Sequence, residues 1–127
     1  MTDSFGSPTV STRFPTMAIV TAMESFEDPA TAQETGVANL QTATATTFFI
    51  NNDTDQDLTV DIDASPLADM SDTYPTTGSP FTVSAGDKLV KTISDMVSYC
   101  QLTLTPAGAS TGTVTAYMAS RRTGGAQ

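Results

Sequence analysis

Hydrophobic and polar residues alternate along most of the chain from position 40 onward. The alternation is clearest at 57–64, where Leu58, Val60 and Ile62 are separated by Thr and Asp. A period of two with one apolar and one polar side is typical of a β-strand that buries one face and solvates the other. The pattern predicts an all-β protein, with further strands at 13–23, 40–51, 81–84, 87–94, 98–106 and 112–120.

Polar and turn-forming residues separate these predicted strands. The run NNDTDQ at 51–56 predicts a tight turn, so we expect the strands before and after it to pair as an antiparallel hairpin. The run 65–80 contains three prolines and a glycine and predicts the longest loop. At 28–36 an acid, a proline and a closing glycine predict a short helical turn, with a plain loop as the alternative.

Regularly spaced short strands with turn residues between them predict an antiparallel two-sheet sandwich, jelly-roll-like in form, with a small barrel as the alternative. The 127 residues are enough for one domain with its own core. We interpret 1–27 as an extended N-terminal arm with a possible first strand, 28–122 as the β-sandwich domain and 123–127 as a flexible tail.

Charge narrows the range of partners. The chain has 14 acidic residues, 5 basic residues and no histidine, which gives a net charge of -9. Such a field repels nucleic acid phosphates and anionic lipids, so we expect neither a nucleic acid nor a membrane partner. No signal segment or membrane anchor is predicted in 1–27. The acid-rich, lysine-poor, threonine-rich composition resembles that of proteins from salt-loving archaea, with an ordinary acidic protein as the alternative.

Catalytic chemistry has little support in the sequence. The absence of histidine excludes the Ser-His and Cys-His pairs of common hydrolases, and no glycine-rich phosphate loop is present. Lys88 and Lys91 lie on a predicted strand with a solvated face, which disfavours a Ser-Lys pair. We therefore predict that the chain is not an enzyme and has no catalytic residues and no cofactor. The single cysteine, Cys100, cannot form an intrachain disulfide and is expected in the core.

Three carboxylates at alternate positions, Asp53, Asp55 and Asp57, resemble the first half of a calcium loop. The pattern then departs from an EF-hand, because Leu58 stands where the turn needs glycine and Ala64 where a glutamate belongs. The weak candidate that remains is a looser calcium site in this loop, with a solvated acidic turn as the alternative. Residues 52–54 (NDT) also match the acceptor triplet for N-linked glycans.

Three segments resemble the small β-sandwich structural proteins of tailed viruses and phages, such as capsid decoration, turret and tail proteins. They are TFFINNDTDQDLTVDIDAS at 47–65, FTVSAGDKLVKTIS at 81–94 and YCQLTLTPAGASTGTVTAYMASR at 99–121, where LTLTP and GTVTAY have the form of a final hairpin. With the composition, the resemblance implies a virion protein of a haloarchaeal tailed virus.

The resemblance also implies a mode of action. Such a protein is a non-catalytic homo-oligomer that contacts other capsid or tail proteins, is assembled in the host cytoplasm and resides in the virion. Residues 1–27 and 65–80 are its expected contact surfaces. The alternative is a ligand-binding module for calcium or a cell-surface glycan, centred on Asp53, Asp55 and Asp57.

Overall fold

The computed structural model describes residues 16–41, 43–94 and 97–122, and within them the side chains of 16–23, 44, 121 and 122 are not described. Residues 1–15 of the predicted N-terminal arm (1–27) and the predicted tail at 123–127 lie outside the described residues. No helix occurs in the described part. Its strands are β1 (Thr16–Glu27), β2 (Gln33–Glu34), β3 (Ala38–Asn39), β4 (Ala43–Thr54), β5 (Leu58–Ser65), β6 (Tyr74–Pro75), β7 (Phe81–Val83), β8 (Lys88–Ile93), β9 (Tyr99–Pro106) and β10 (Gly112–Arg122).

The strands form two antiparallel sheets, as the alternation predicted. Sheet A has the order β1-β10-β4-β8. In sheet B, β9 and β5 are central; β2 and β3 both pair with β9, and β6 and β7 both pair with β5. Each outer position of sheet B is thus occupied by one interrupted edge strand. The all-β sandwich prediction is confirmed, and β1 belongs to sheet A through its pairing with β10.

The chain changes sheet at most of its connections. Four of these crossings lie at one end of the sandwich, which we call the crossing end: 28–32, 55–57, 84–87 and 107–111. The linked strands occupy corresponding positions in the two sheets, β1 with β2, β10 with β9, β4 with β5 and β8 with β7. Each crossing therefore joins two strands that face each other across the core.

The hairpin predicted around 51–56 is wrong, because β4 and β5 lie in different sheets. β4 is already flanked on both sides by β10 and β8. The inward residues of both strands, such as Ile50 and Val60, are fully buried, and a sheet change lets them pack face to face. The final hairpin that the resemblance implied is likewise a crossing, since β9 belongs to sheet B and β10 to sheet A.

The helical turn predicted at 28–36 is also wrong, and the alternative of a loop is closer to the structure. Asp28 has a positive φ of 45°, which is not helical. The backbone then extends, so that Gln33 and Glu34 pair with β9 as β2. Pairing with a sheet edge gives these amides partners that two isolated helical turns could not hold stably in water.

The core lies between the inward faces of the two sheets. It excludes water almost completely, and Cys100 is part of it, as predicted. Burial raises the pKa of the Cys100 thiol to about 12, so the side chain is a neutral apolar group at any physiological pH. The buried apolar set is Leu40, Phe48, Ile50, Leu58, Val60, Ile62, Ala64, Val83, Ile93, Cys100, Leu102, Leu104, Val114, Ala116 and Met118.

Both edges of sheet B are interrupted at the same level. Beside β9, Thr35 makes two hydrogen bonds with Leu102. Its N–H donates to the Leu102 carbonyl (3.0 Å), and its hydroxyl accepts from the Leu102 N–H (3.1 Å). On the other side the carbonyl of Ile62 accepts from Thr76, and its N–H donates to the hydroxyl of Ser79 (2.7 Å). Ile62 and Leu102 are directly opposite in register. Side-chain hydroxyls thus take ladder positions that a neighbouring strand would otherwise occupy.

The buried side-chain amide of Asn52 connects several segments of the crossing end by hydrogen bonds. The side chain of Asn52 has no exposed surface; its Nδ2 donates to the carbonyls of Gln56 (2.8 Å), Val83 (3.0 Å) and Ser84 (3.2 Å). Its Oδ1 accepts from the hydroxyl of Thr54 at 2.6 Å. The end of β4, the crossing at 55–57 and the turn at 84–87 therefore share one polar group. This burial also means that Asn52 is not accessible as a glycan acceptor in the folded chain.

Replacing Asn52 with Ala should lower the free energy of unfolding by roughly 2–4 kcal/mol, because the buried carbonyl of Val83 and the partly buried carbonyl of Ser84 lose a donor. Urea denaturation followed by circular dichroism measures the change. Asn51→Ala is the matched control: Asn51 is the adjacent residue, it points out of sheet A, and its loss should cost less than about 1 kcal/mol. Equal losses in the two variants would contradict the role given to Asn52.

Candidate functional site

The three carboxylates of the calcium hypothesis have different surroundings in the structure. Asp53 lies on β4, opposite Thr113. The carboxylate of Asp55 accepts the backbone N–H of Thr111 (2.9 Å), whereas that of Asp57 accepts the backbone N–H of Ala85 (3.0 Å). Two of the acids are therefore engaged with two different loops of the crossing end.

A further acid acts in the same way. The carboxylate of Asp28 accepts the N–H of Gly112 (2.7 Å), and the N–H of Asp28 donates to the Gly112 carbonyl (2.7 Å). Gly112 has a φ of 121°, and a Cβ there would collide with the carbonyl of Asp53. The acids of the crossing end thus bind loop amides, as a carboxylate does when it caps a turn.

In the described residues, no group of three or more histidine, cysteine, aspartate or glutamate side chains is arranged to hold a metal ion. The calcium site at Asp53, Asp55 and Asp57 stays a prediction. The bonds of Asp55 and Asp57 to backbone amides favour the alternative of an acidic turn, because each carboxylate already has a structural partner.

Asp55→Ala and Asp57→Ala should each lower the free energy of unfolding by up to about 1 kcal/mol, because each removes an acceptor from a loop amide. Asp53→Ala, which removes a neighbouring exposed carboxylate, is the matched control and should change it less. Thermal denaturation with and without calcium completes the test, and we expect the same midpoint in both. A calcium-dependent rise that any one of these variants abolishes would establish the metal site instead.

The solvent-facing side of sheet A carries large apolar side chains. Tyr117 on β10, Phe49 on β4 and Val90 on β8 are directly opposite one another in consecutive strands. Their exposed fractions are 40%, 38% and 61%, respectively. We call these three residues the apolar row. A shallow depression of about 270 Å³ lies along it, and Asn51 and Lys88 line its polar margin.

The alternation pattern did not single out the apolar row, since it assigns these positions to a solvated face. One signal was present in the sequence. Phe48 and Phe49 are consecutive in a strand, so their rings must point to opposite faces. Phe48 is fully buried in the structure, and Phe49 is therefore left on the outside.

β8 forms the border of sheet A next to the apolar row. Among the described residues it pairs with β4 alone, in an uninterrupted register. Lys88 is exposed beside the row, while the ammonium of Lys91 lies 5.7 Å from the centre of the Phe81 ring on β7. Lys91 therefore spans the side of the sandwich, where its cation contacts an aromatic face.

The outer face of sheet B is acidic. Asp61 and Asp63 alternate along β5, and Glu34 lies nearby on β2, opposite Thr103. Partial burial, together with the charges of Asp61 and Glu34, raises the pKa of Asp63 above its ordinary value. A carboxyl whose pKa is raised by folding is more stable protonated in the folded state, so it opposes folding once ionised.

Asp63→Asn should therefore raise the midpoint of thermal unfolding at pH 7, since it removes the ionised carboxylate. The gain should shrink as the pH falls through the folded pKa of Asp63 and vanish below the ordinary carboxyl pKa. Asp69→Asn is the control and should lower the midpoint at pH 7, because hydrogen bonds from Ser71 lower the pKa of Asp69. Melting curves between acid and neutral pH measure both changes; a lower midpoint for Asp63→Asn at pH 7 would contradict the prediction.

No protein-family model matches the chain, and no curated protein matches it in sequence. Several solved structures share its fold. The crystal structure of the PBSX exported protein XepA is similar over 80% of this chain with a TM-score of 0.66 and 11% identity. The chain spans about a third of that protein, covering 36% of its length.

Two further structures are similar over most of this chain. One is described as Bacillus endospore appendages that form a family of disulfide-linked pili; the match covers 84% of this chain and 88% of that chain, with a TM-score of 0.57 and 14% identity. The other is PirA, with 84% and 94% covered, a TM-score of 0.52 and 9% identity. At these identities the likeness establishes the β-sandwich fold. In the described residues no helix is long and apolar enough to cross a membrane.

Proposed function

We propose that the chain is a non-catalytic structural subunit of a virion, which associates with copies of itself and with neighbouring capsid or tail proteins. The observation that carries the proposal is the apolar row beside the open border of sheet A. Aromatic residues on an otherwise polar surface are typical of the centres of protein interfaces. Tyr117, Phe49 and Val90 form such a centre because they lie side by side on adjacent strands.

The fold comparisons support this proposal. One similar structure is an exported protein of PBSX, and another belongs to pili that are linked by disulfides. Disulfide linkage cannot operate in the same way here, because the single cysteine is Cys100 and its thiol is buried with a pKa of about 12. We therefore expect copies of this chain to associate without disulfides, through apolar contact at the apolar row.

Charge sets the conditions for association. Each copy carries a net charge of -9, so copies repel one another at low ionic strength. Molar salt shortens the range of this repulsion to roughly 3 Å. We accordingly extend the proposal to a virus of a salt-loving host, for which a strongly acidic subunit is suited to its surroundings.

Size-exclusion chromatography with light scattering in molar potassium chloride should give a mass at least twice the 13.2 kDa of one chain. Phe49→Ser should lower that mass, because it removes the centre of the apolar row. Val37→Ser is the matched control, since Val37 is a comparably exposed hydrophobic residue outside sheet A, and it should leave the mass unchanged. A monomer at high protein concentration in molar salt would contradict the proposal.

A further inference from the structure

The four sheet borders differ in how easily they can accept another strand. Both borders of sheet B are interrupted where Thr35, Thr76 and Ser79 occupy ladder positions. The pairing of β1 with β10 contains register shifts at Thr16/Ile19 and Ala22/Glu24, and such bulges discourage edge pairing. β8 pairs with β4 over six consecutive residues without a shift. Among the described residues, β8 is therefore the regular border.

The direction of the β8 backbone groups follows from its register with β4. Asn52 donates its N–H to the carbonyl of Asp87, the residue that precedes β8 and continues the same register. In an antiparallel ladder, hydrogen-bonded pairs alternate with non-hydrogen-bonded pairs. Leu89, Lys91 and Ile93 thus direct their N–H and C=O groups to β4. The outward-directed groups belong to Lys88, Val90 and Thr92.

A side-chain contact supports this assignment. The hydroxyls of Thr47 and Thr92 are 2.8 Å apart. Opposite side chains approach more closely in non-hydrogen-bonded pairs, and Thr47 with Thr92 is such a pair in the alternation just given. The free border therefore presents three N–H and three C=O groups, one of each from Lys88, Val90 and Thr92.

We infer that β8 pairs antiparallel with β8 of a second copy, about a twofold axis through Val90. The pairing rests on the proposed self-association, because it specifies one contact through which copies associate. Val90 lies opposite Val90 of the second copy, and Lys88 lies opposite Thr92 of the second copy. All six outward backbone groups of each copy then have partners.

Other registers are poorer for definite reasons. Residues that are opposite each other in a ladder point to the same face of the sheet. An alternative register of β8 against β8 must therefore differ by two residues, because a shift of one would place the outer face of one copy beside the inner face of the other. Centring on Leu89 leaves the outward groups of Thr92 without a partner in β8. Centring on Lys91 leaves the outward backbone groups of Lys88 without a partner in β8. It also places the two Lys91 ammonium groups opposite each other, which is destabilising. The Val90-centred register places no lysine opposite a lysine.

The same register joins the two apolar rows. Across the twofold axis the order becomes Tyr117, Phe49, Val90, followed by Val90, Phe49 and Tyr117 of the second copy. The most exposed member of the row, Val90, is thereby placed at the centre of the contact. β8 also contains no acid, so this pairing places no carboxylates of the two copies opposite each other.

A proline scan of β8 tests the pairing in the full chain in molar salt. Val90→Pro removes an outward N–H, which an edge strand tolerates, and should abolish the β8-mediated association while leaving the melting midpoint nearly unchanged. Lys91→Pro removes an N–H directed to β4 and should lower the midpoint strongly, with Lys91→Ala as the control for loss of the side chain. Val90→Lys places like charges opposite each other without a backbone change and should lower the mass as Val90→Pro does.

Cross-linking gives an independent measurement. Val90→Cys places a cysteine opposite its copy, with the two Cα atoms about 5.5 Å apart. A disulfide can span this distance. Mild oxidation should give a covalent dimer, while the buried Cys100 stays unreacted. Thr82→Cys, an exposed position on the border strand β7 of sheet B, is the matched control and should remain largely monomeric on a denaturing gel.

The outcomes separate this pairing from the broader proposal. Association that is lost in Val90→Pro and Val90→Lys, with cross-linking at position 90 alone, supports the β8 contact. A wild-type multimer that persists in both variants overturns the β8 contact and leaves self-association in place, with β1 or residues 1–15 as the other routes. A wild-type monomer in molar salt overturns both.

Discussion

The buried amide of Asn52 is the interaction on which the architecture depends. The chain changes sheet at most of its connections, so several crossings need partners for their polar backbone groups. Asn52 donates to the carbonyl of Gln56 in one crossing and to that of Ser84 in another, and it accepts a hydrogen bond from Thr54. With this group in place, β4 can leave sheet A and β5 can begin sheet B within three residues.

The acids of the crossing end extend the same arrangement. Asp28, Asp55 and Asp57 each accept a backbone N–H from a distant part of the chain, so these carboxylates contribute to the fold. These acids lie at the crossing end, whereas the apolar row lies on the outer face of sheet A. Loop stability and surface recognition are therefore carried by separate parts of the molecule.

Period-two alternation was sufficient to predict the longer strands and the two-layer class, but not the two-residue edge strands β2, β3 and β6. Leu58, Val60 and Ile62 face the core as their spacing required, and Cys100 lies with them. The pattern could not show which strands pair, because a turn such as 51–56 is compatible both with a hairpin and with a sheet change. That choice depends on the neighbours of β4, which are distant in sequence. The role of Asn52 was hidden for the same reason, since its partner carbonyl at Val83 is 31 residues away.

The hydroxyl-bridged interruptions beside Ile62 and Leu102 make the two layers unequal in a further respect. Open-ended fibre growth by strand addition needs a receptive border at both ends of every added unit. Sheet B offers none among the described residues, so any lateral recruitment is confined to the opposite layer. The interrupted borders of sheet B therefore disfavour the open-ended strand stacking that leads to amyloid.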